Sequence, residues 1–180
     1  MPDPRLVSTS TAYAGRLFNV TLDTLEMDGG VIAHREIIKH PGAVCMVPVT
    51  PEGKLLLVTQ YRHAAGRRLL ELPAGTLEPG EDPLAAASRE LQEEVGRLPG
   101  RVEALGGFYV APGYTTEYIH LFICSELVES SLDADDDEDI EVESLSPSQA
   151  LAAIDSGEIN DAKSVIGVLR WRRSLESGNQ

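Results

Sequence analysis

Two nearly continuous apolar segments, AVCMVPVT at 43–50 and KLLLVTQYR at 54–62, constrain the fold of this 180-residue chain most strongly. A strand buried on one face alternates apolar and polar residues, whereas an unbroken apolar run is typical of a strand covered on both faces. The turn residues at 51–53 predict that the two segments pair as a hairpin. An earlier hairpin is predicted from RLFNVTLDTLEM and VIAHREIIKH, which flank the glycine turn at 28–30.

A helix is predicted from Pro83 to about Val95. Asp82 supplies an acidic N-cap, proline suits the first helical position, and Gly96 ends the helix. Its apolar stripe is formed by Leu84, Ala87, Leu91 and Val95.

Further segments complete the predicted architecture. ELPAGTLEPGEDP before the helix is expected to be a loop, and RVEALGGFYV and EYIHLFICSEL after it are expected to be strands. The capping-box pattern at 146–149 opens a second helix that Gly157 ends, and AKSVIGVLRWRR forms a third. The predicted fold is therefore α/β, with a mixed sheet sandwiched between helices and an N-terminal antiparallel β-hairpin.

Composition narrows the classes of function. The formal net charge of −14 disfavours binding to nucleic acids or anionic membrane surfaces. A phosphate substrate would need metal ions or a local basic patch. Cys45 and Cys124 lie in apolar segments and are expected to be buried free thiols. No apolar run approaches the roughly 18 residues that span a bilayer, so a cytoplasmic protein is expected.

Three glutamates dominate the predicted first helix. Glu90, Glu93 and Glu94 stand at i, i+3 and i+4, so their carboxylates share one face. Like charges so spaced destabilise a bare helix. The acids form either a solvated acidic face or a site for a hard cation such as Mg²⁺ or Mn²⁺, which carboxylate oxygens suit. Arg89 lies one turn before Glu93 and could orient it by a charge-assisted hydrogen bond.

The spacing around these acids favours the cation site. Residues 75–97 resemble the Nudix box, Gly-x5-Glu-x7-Arg-Glu-U-x-Glu-Glu-x-Gly-U, where U is a bulky aliphatic residue. The matching residues are Gly75, Glu81, Arg89, Glu90, Leu91, Glu93, Glu94 and Gly96. The last aliphatic position is Arg97 here, which predicts a local packing change without loss of the chemistry.

The resemblance implies the Nudix fold and a metal-dependent hydrolase of nucleoside diphosphates linked to another group. It implies that Glu90 and Glu94 are the main ligands of Mg²⁺ or Mn²⁺, and that the backbone carbonyl of Ala74 is another. Glu93 can join the ligands and is also a candidate catalytic residue. Gly75, Glu81, Arg89 and Gly96 are the structural members of the box.

Outside the box, roughly residues 30–175 resemble the ADP-ribose pyrophosphatase branch of this family. The marks of that branch are QYR at 60–62, ELPAG at 71–75 and the loop APGYTTE at 111–117. The branch implies hydrolysis of ADP-ribose to AMP and ribose 5-phosphate. The alternatives are the same chemistry on a GDP-sugar, a diadenosine polyphosphate or a flavin dinucleotide, or a non-catalytic ADP-ribose-sensing module.

The branch also implies four substrate contacts, three of which have a simpler alternative. Arg62 would bind the diphosphate, or be a surface cation at a strand end. Arg35 would hold the nucleotide, or be an exposed strand residue. Pro112 would border the terminal ribose or the adenosine, or belong to an ordinary turn. Glu117 would shape the active site.

The acidic run at 135–139 is either a solvated loop or a loop that closes over substrate. In the branch, a glutamate at this point orients or deprotonates the attacking water. Glu138 fits that role best, and Asp136 is the rival in a shifted register.

The predicted organisation has two parts. Residues 1–40 are expected to form N-terminal strands that are candidates for dimer formation, and residues 41–180 are expected to form the Nudix hydrolase domain. The resemblance implies a homodimer acting on a small nucleotide-sugar, and the net charge predicts no nucleic-acid or membrane partner.

Overall fold

The computed structural model describes residues 2–132 and 139–177. In these ranges the chain forms ten strands and three α-helices, besides short 3-10 turns. They are β1 (Arg5–Ala14), β2 (Asn19–Glu26), β3 (Ile32–Lys39), β4 (Ala43–Pro48), β5 (Leu55–Arg62), β6 (Arg67–Glu71), β7 (Ala74–Thr76), α1 (Pro83–Val95), β8 (Arg97–Tyr109), β9 (Tyr118–Glu129), β10 (Glu141–Leu145), α2 (Pro147–Ser156) and α3 (Ala162–Ser177).

The chain divides into two compact units. The N-terminal unit comprises Met1–Gly42 and Tyr109–Tyr118, and the main unit comprises Ala43–Phe108 and Ile119–Gln180. In the N-terminal unit, β1, β2 and β3 form an antiparallel sheet in that order. The predicted hairpin is confirmed as β2 and β3, and Gly29 and Gly30 adopt the positive φ angles that its turn requires. The strand β1 was not predicted.

Two sheets build the main unit, with strand orders β7-β4-β9-β8 and β10-β5-β6. The first is mixed, because β4 runs parallel to β9 and antiparallel to β7. All of β4 is buried. Val44 and Met46 pack in the core cluster that holds α1, whereas Cys45 and Val47 pack in the cluster that holds α2 and α3. Helices therefore cover both faces of β4, as its unbroken apolar sequence predicted.

The prediction that segments 43–50 and 54–62 pair as a hairpin is wrong. A turn does join them, since Gly53 N donates to Thr50 O at 2.8 Å. Beyond one isolated bridge between Val49 and Leu55, however, β4 and β5 separate into different sheets. Each strand finds its partners elsewhere along the chain, and apolar content alone cannot identify which strands pair.

Two local predictions also need correction. The segment 71–83 is not wholly a loop, because Ala74–Thr76 pairs with β4 as the short strand β7. Leu84 does not belong to the buried stripe of α1, since it lies in the first turn and is 49% exposed. Ala86 is fully buried instead and packs with Ala87.

The predicted helices are otherwise confirmed. α1 ends at Gly96, which adopts a φ of 67°. α2 carries the reciprocal capping-box bonds between Ser146 and Gln149. Cys45 and Cys124 are buried and free, and burial raises the pKa of each thiol to about 12. Within the described residues, no helix is both long and apolar enough to cross a membrane.

Candidate active site

Arg89 organises the acidic face of α1. Its Nε and Nη2 donate to the two carboxylate oxygens of Glu81, each at 3.0 Å. Its Nη1 lies 2.8 Å from a carboxylate oxygen of Glu90 and of Glu93. One guanidinium therefore meets three carboxylates, which offsets the repulsion that this spacing of acids creates.

Glu81 lies in the loop that precedes α1, and its carboxylate joins that loop to the helix. Besides the two bonds from Arg89, it accepts a hydrogen bond from Glu78 N at 3.0 Å. The bond from Arg89, reinforced by this backbone bond, holds the pKa of Glu81 below its usual range. The loop is thus fixed by an ionised carboxylate.

This pKa shift predicts a pH-dependent contribution to stability. A carboxyl whose folded-state pKa is depressed stabilises the fold above its unfolded pKa, about 4.3 for Glu, and loses that contribution as pH falls through the folded pKa. We therefore expect Glu81→Gln to lower the free energy of unfolding near pH 7, and the deficit to shrink below about pH 4. Urea unfolding from about pH 3 to about pH 7 measures it.

Arg89 provides the control for this experiment. Because the bond from Arg89 is the main cause of the shift, Glu81→Gln should show a weaker pH dependence in an Arg89→Met background. A deficit that stays constant over the whole pH range in the otherwise unchanged chain would contradict the prediction.

Gly75 makes room for the Glu90 carboxylate. A Cβ atom built on Gly75 would lie 1.8 Å from Cδ of Glu90 and 2.0 and 2.1 Å from its two oxygens. The carboxylate therefore packs directly against the backbone of β7. Any side chain at position 75 would displace it, which explains why a glycine begins the box.

Glu94 ties α1 to the same strand from a buried position. It is 6% exposed, and its Oε2 accepts a hydrogen bond from Ala74 N at 2.9 Å. A carboxylate at this depth is stable only with polar partners. Residues 74 and 75 are thus flanked by Glu94 and Glu90, one turn apart on the helix.

A cleft of about 360 Å³ opens beside these residues. Most of its lining groups are polar, which is unusual for a pocket that takes an apolar ligand and suits a charged one. The residues that line it are Arg62, Ala74, Gly75, Thr76, Glu78, Arg89, Glu90 and Glu93.

The donor set of the cleft fits a hard divalent cation. Carboxylates and a backbone carbonyl are the ligands that Mg²⁺ and Mn²⁺ prefer. The Glu90 carboxylate lies against the backbone of Gly75, at the position that a Cβ atom there would occupy. Within residues 2–132 and 139–177, no three or more His, Cys, Asp or Glu side chains already converge as ligands. Arg89 holds Glu90 and Glu93 instead, so these carboxylates would turn from it toward an ion.

The remaining predicted residues belong to the N-terminal unit or lie outside the described residues. Arg35 on β3 is exposed, with Nη1 donating to His34 O at 2.8 Å. Pro112 is exposed in the loop between β8 and β9, and Glu117 is half-buried there, with its N–H donating to Thr115 Oγ1. All three belong to the N-terminal unit. Glu138 and its rival Asp136 lie outside the described residues.

Several polar groups of the main unit were not predicted from the sequence. Thr76 and Glu78 line the cleft without having been assigned a role. Arg62 is paired with Glu71, which in turn contacts Lys163 on α3. The ion pair between 62 and 71 does not follow from the hairpin register, because Arg62 lies opposite Arg67 and Glu71 lies opposite Val58. The contact of Lys163 has no signal in local sequence.

Arg97 stands where the box ends with an aliphatic residue in the family. It begins β8 and pairs with the exposed Glu129, their charged atoms 3.1 Å apart. The substitution therefore replaces an apolar contact by an ion pair at the surface.

Comparison with known proteins agrees with this geometry. The model of the NUDIX domain matches residues 39–165. An ADP-ribose pyrophosphatase from Bacillus subtilis is 35% identical over 97% of both chains. A methanol dehydrogenase activator from Bacillus methanolicus is 37% identical over 92% of this chain and 91% of its own. The crystal structure of an ADP compounds hydrolase has a TM-score of 0.88 at 25% identity, covering 99% of this chain and 97% of the other. The chain belongs to the Nudix family.

Proposed function

We propose that this protein is a metal-dependent pyrophosphohydrolase that cleaves ADP-ribose to AMP and ribose 5-phosphate. The observation that carries the proposal is the polar cleft, which is lined by Arg62 together with Glu90 and Glu93 of the box. The similarity to an ADP-ribose pyrophosphatase over 97% of both chains supports the choice of substrate. Retention of every acid of the box favours catalysis over a sensing role.

Arg62 is the residue proposed to bind the diphosphate. A guanidinium donates paired hydrogen bonds that suit phosphate oxygens. A local cation is needed here, since the chain carries a net charge of −14 and would otherwise repel the substrate.

Glu90, Glu94 and the carbonyl of Ala74 would hold Mg²⁺ or Mn²⁺, with Glu93 as a further ligand. When bound, the ion lowers the pKa of a water molecule and neutralises charge on the diphosphate. Before the ion binds, Arg89 would hold Glu90 and Glu93 together on one face of α1, and Glu81 would keep Arg89 in place.

The reaction adds water across the diphosphate. The oxygen of water bonds to one phosphorus while the bond from that phosphorus to the bridging oxygen breaks. The bridging oxygen leaves with the other phosphate. Glu138 is proposed to accept the proton of the attacking water, with Asp136 as the alternative, and Glu93 to assist from the cleft. Arg35, Pro112 and Glu117 are proposed to contact the nucleotide and ribose portions.

A substrate panel tests the assignment. ADP-ribose, GDP-mannose, a diadenosine polyphosphate and a flavin dinucleotide are supplied separately with Mg²⁺, and phosphatase-labile phosphate is measured. We expect the highest kcat/KM with ADP-ribose. Faster cleavage of another substrate would reassign the specificity, and tight binding of ADP-ribose without any cleavage would favour the sensing role.

We also propose that the protein is a homodimer that associates through its N-terminal strands. The sheet of β1, β2 and β3 carries large apolar side chains that are about half exposed, among them Leu6, Tyr13, Leu22 and Ile32. Exposed apolar groups in this number are typical of an association surface. Sedimentation of the full chain should give twice the mass of one chain, and a monomer at micromolar concentration would contradict the proposal.

A further inference from the structure

Glu71 is the centre of a buried ionic cluster behind the cleft. Arg62 donates to it through Nε at 2.6 Å and through Nη2 at 3.2 Å. Lys163, at the start of α3, donates to the second oxygen of the same carboxylate. Lys163 also donates to Oδ1 of Asp161 at 3.0 Å. We refer to Arg62, Glu71, Asp161 and Lys163 as the Glu71 cluster.

The Glu71 cluster is electrically neutral, and most of its charged side chains are buried from solvent. Its two cations and two carboxylates sum to zero. The side chains of Glu71, Lys163 and Asp161 are 3%, 12% and 18% exposed, whereas that of Arg62 is 39% exposed. Burial lowers the pKa of Lys163, but Asp161 and Glu71 outweigh it and raise the net value, so the ammonium is retained. The charge most accessible from outside the cluster is that of Arg62.

The two bonds to Glu71 fix the orientation of the Arg62 guanidinium. Both use the edge formed by Nε and Nη2. A guanidinium that makes two hydrogen bonds to a carboxylate along one edge cannot rotate freely. Its remaining N–H groups therefore keep a constant direction. Nη1 of Arg62 takes part in neither bond to Glu71. The fixed edge therefore sets the direction in which the Nη1 donors face, and Arg62 lines the cleft.

The cluster is also anchored to the backbone near the cleft. Asp161 Oδ1 accepts a hydrogen bond from Ser164 N at 3.1 Å, and Ser164 Oγ accepts one from Leu72 N at 2.7 Å. The start of α3 is therefore bonded to the strand end that carries Glu71. Ala74, whose carbonyl is a proposed metal ligand, lies two residues after Leu72.

We propose that Glu71 and Lys163 are positioning residues that hold Arg62 in the orientation that meets the diphosphate, although neither lines the cleft. The inference rests on the proposed function, since it explains how the Arg62 guanidinium of that same site is oriented. The competing explanation is that the cluster only fastens α3 to the sheet. That explanation predicts loss of stability without any change in substrate binding.

A double-mutant cycle separates the two explanations. Glu71→Gln should raise the KM for ADP-ribose about tenfold and change kcat less than about threefold, because the loosened Arg62 binds ground state and transition state alike more weakly. Arg62→Met should raise KM at least as much. In the Arg62→Met background, Glu71→Gln should leave KM unchanged, because there is no guanidinium left to orient.

Two variants of Lys163 extend the test if Glu71→Gln does not fold. Lys163→Met leaves Glu71 with one cation fewer and should raise KM, whereas Lys163→Arg keeps the charge and should restore it. Trp171→Phe is the control for stability, because Trp171 is buried on α3 and is not a member of the cluster. It should lower the melting temperature and leave KM at the wild-type value.

The outcomes are distinct. If the effects of Glu71→Gln and Arg62→Met on KM multiply, or if Glu71→Gln and Lys163→Met lower only the melting temperature, the positioning role is wrong while the proposed function stands. If the wild-type chain does not hydrolyse ADP-ribose at all, the proposed function fails and the positioning role fails with it.

Discussion

Replacing Glu94 by glutamine is expected to lower kcat for ADP-ribose on the order of a hundredfold to a thousandfold, with the fold retained. The carboxylate is proposed to hold the metal, and an amide oxygen is a much weaker ligand. The stability should change by less than about 1 kcal/mol, because the glutamine oxygen can still accept the hydrogen bond from Ala74 N. Steady-state kinetics with Mg²⁺ and thermal unfolding measure the two effects.

Glu103→Gln is the matched control. Glu103 lies on β8, is about half exposed and pairs with Arg101 at the surface, so its kinetics should equal those of the wild type. Glu138→Gln in the same assay should lower kcat without altering the metal concentration needed for half-maximal rate. A wild-type kcat in Glu94→Gln would contradict the proposal that Glu94 is a metal ligand.

Gly75→Ala is expected to lower kcat/KM about a hundredfold by displacing the Glu90 carboxylate. The cause is steric, since the new Cβ would lie 1.8 Å from Glu90 Cδ. Backbone strain does not contribute, because Gly75 is not among the glycines with positive φ. Overpacking of this kind costs about 1–3 kcal/mol of stability, which chemical denaturation measures.

The Glu90→Ala background identifies the clashing group. Once the carboxylate is gone, Gly75→Ala should cost little further stability, so the two substitutions are non-additive. An equal cost in both backgrounds would place the clash elsewhere, and wild-type activity in Gly75→Ala would show that the Glu90 carboxylate can move without consequence.

The helices were predicted well because residues that start or stop a helix stand at their ends in the sequence. The proline at position 83 and the glycine at 96 bound α1 where expected, and the capping box at Ser146 opens α2. Strand pairing was harder. β4 and β5 are adjacent in sequence and strongly apolar, yet each pairs with strands from distant parts of the chain. The partners of β4 and β5 therefore depend on tertiary contacts, whereas β2 and β3 were predicted to pair because a glycine turn joins them.

The same distinction applies to the candidate site: contacts within one segment were predicted, and contacts between distant segments were not. Glu81, Arg89, Glu90 and Glu93 were identified because one loop and one helix hold them at fixed spacing, and the structure brings them together around one guanidinium. The contact between Glu71 and Lys163 joins residues 92 positions apart. Only the packing of α3 against the sheet creates it, so spacing along the chain could not predict it.

The most direct test of the central claim measures the products formed from ADP-ribose by the wild-type chain with Mg²⁺, with excess chelator, and after Mg²⁺ is restored. We expect AMP and ribose 5-phosphate in equal amounts with Mg²⁺, loss of both products with chelator, and recovery when the ion is returned. Absence of AMP in the presence of Mg²⁺, or an undiminished rate in chelator, would contradict metal-dependent hydrolysis at the Glu90 and Glu94 site.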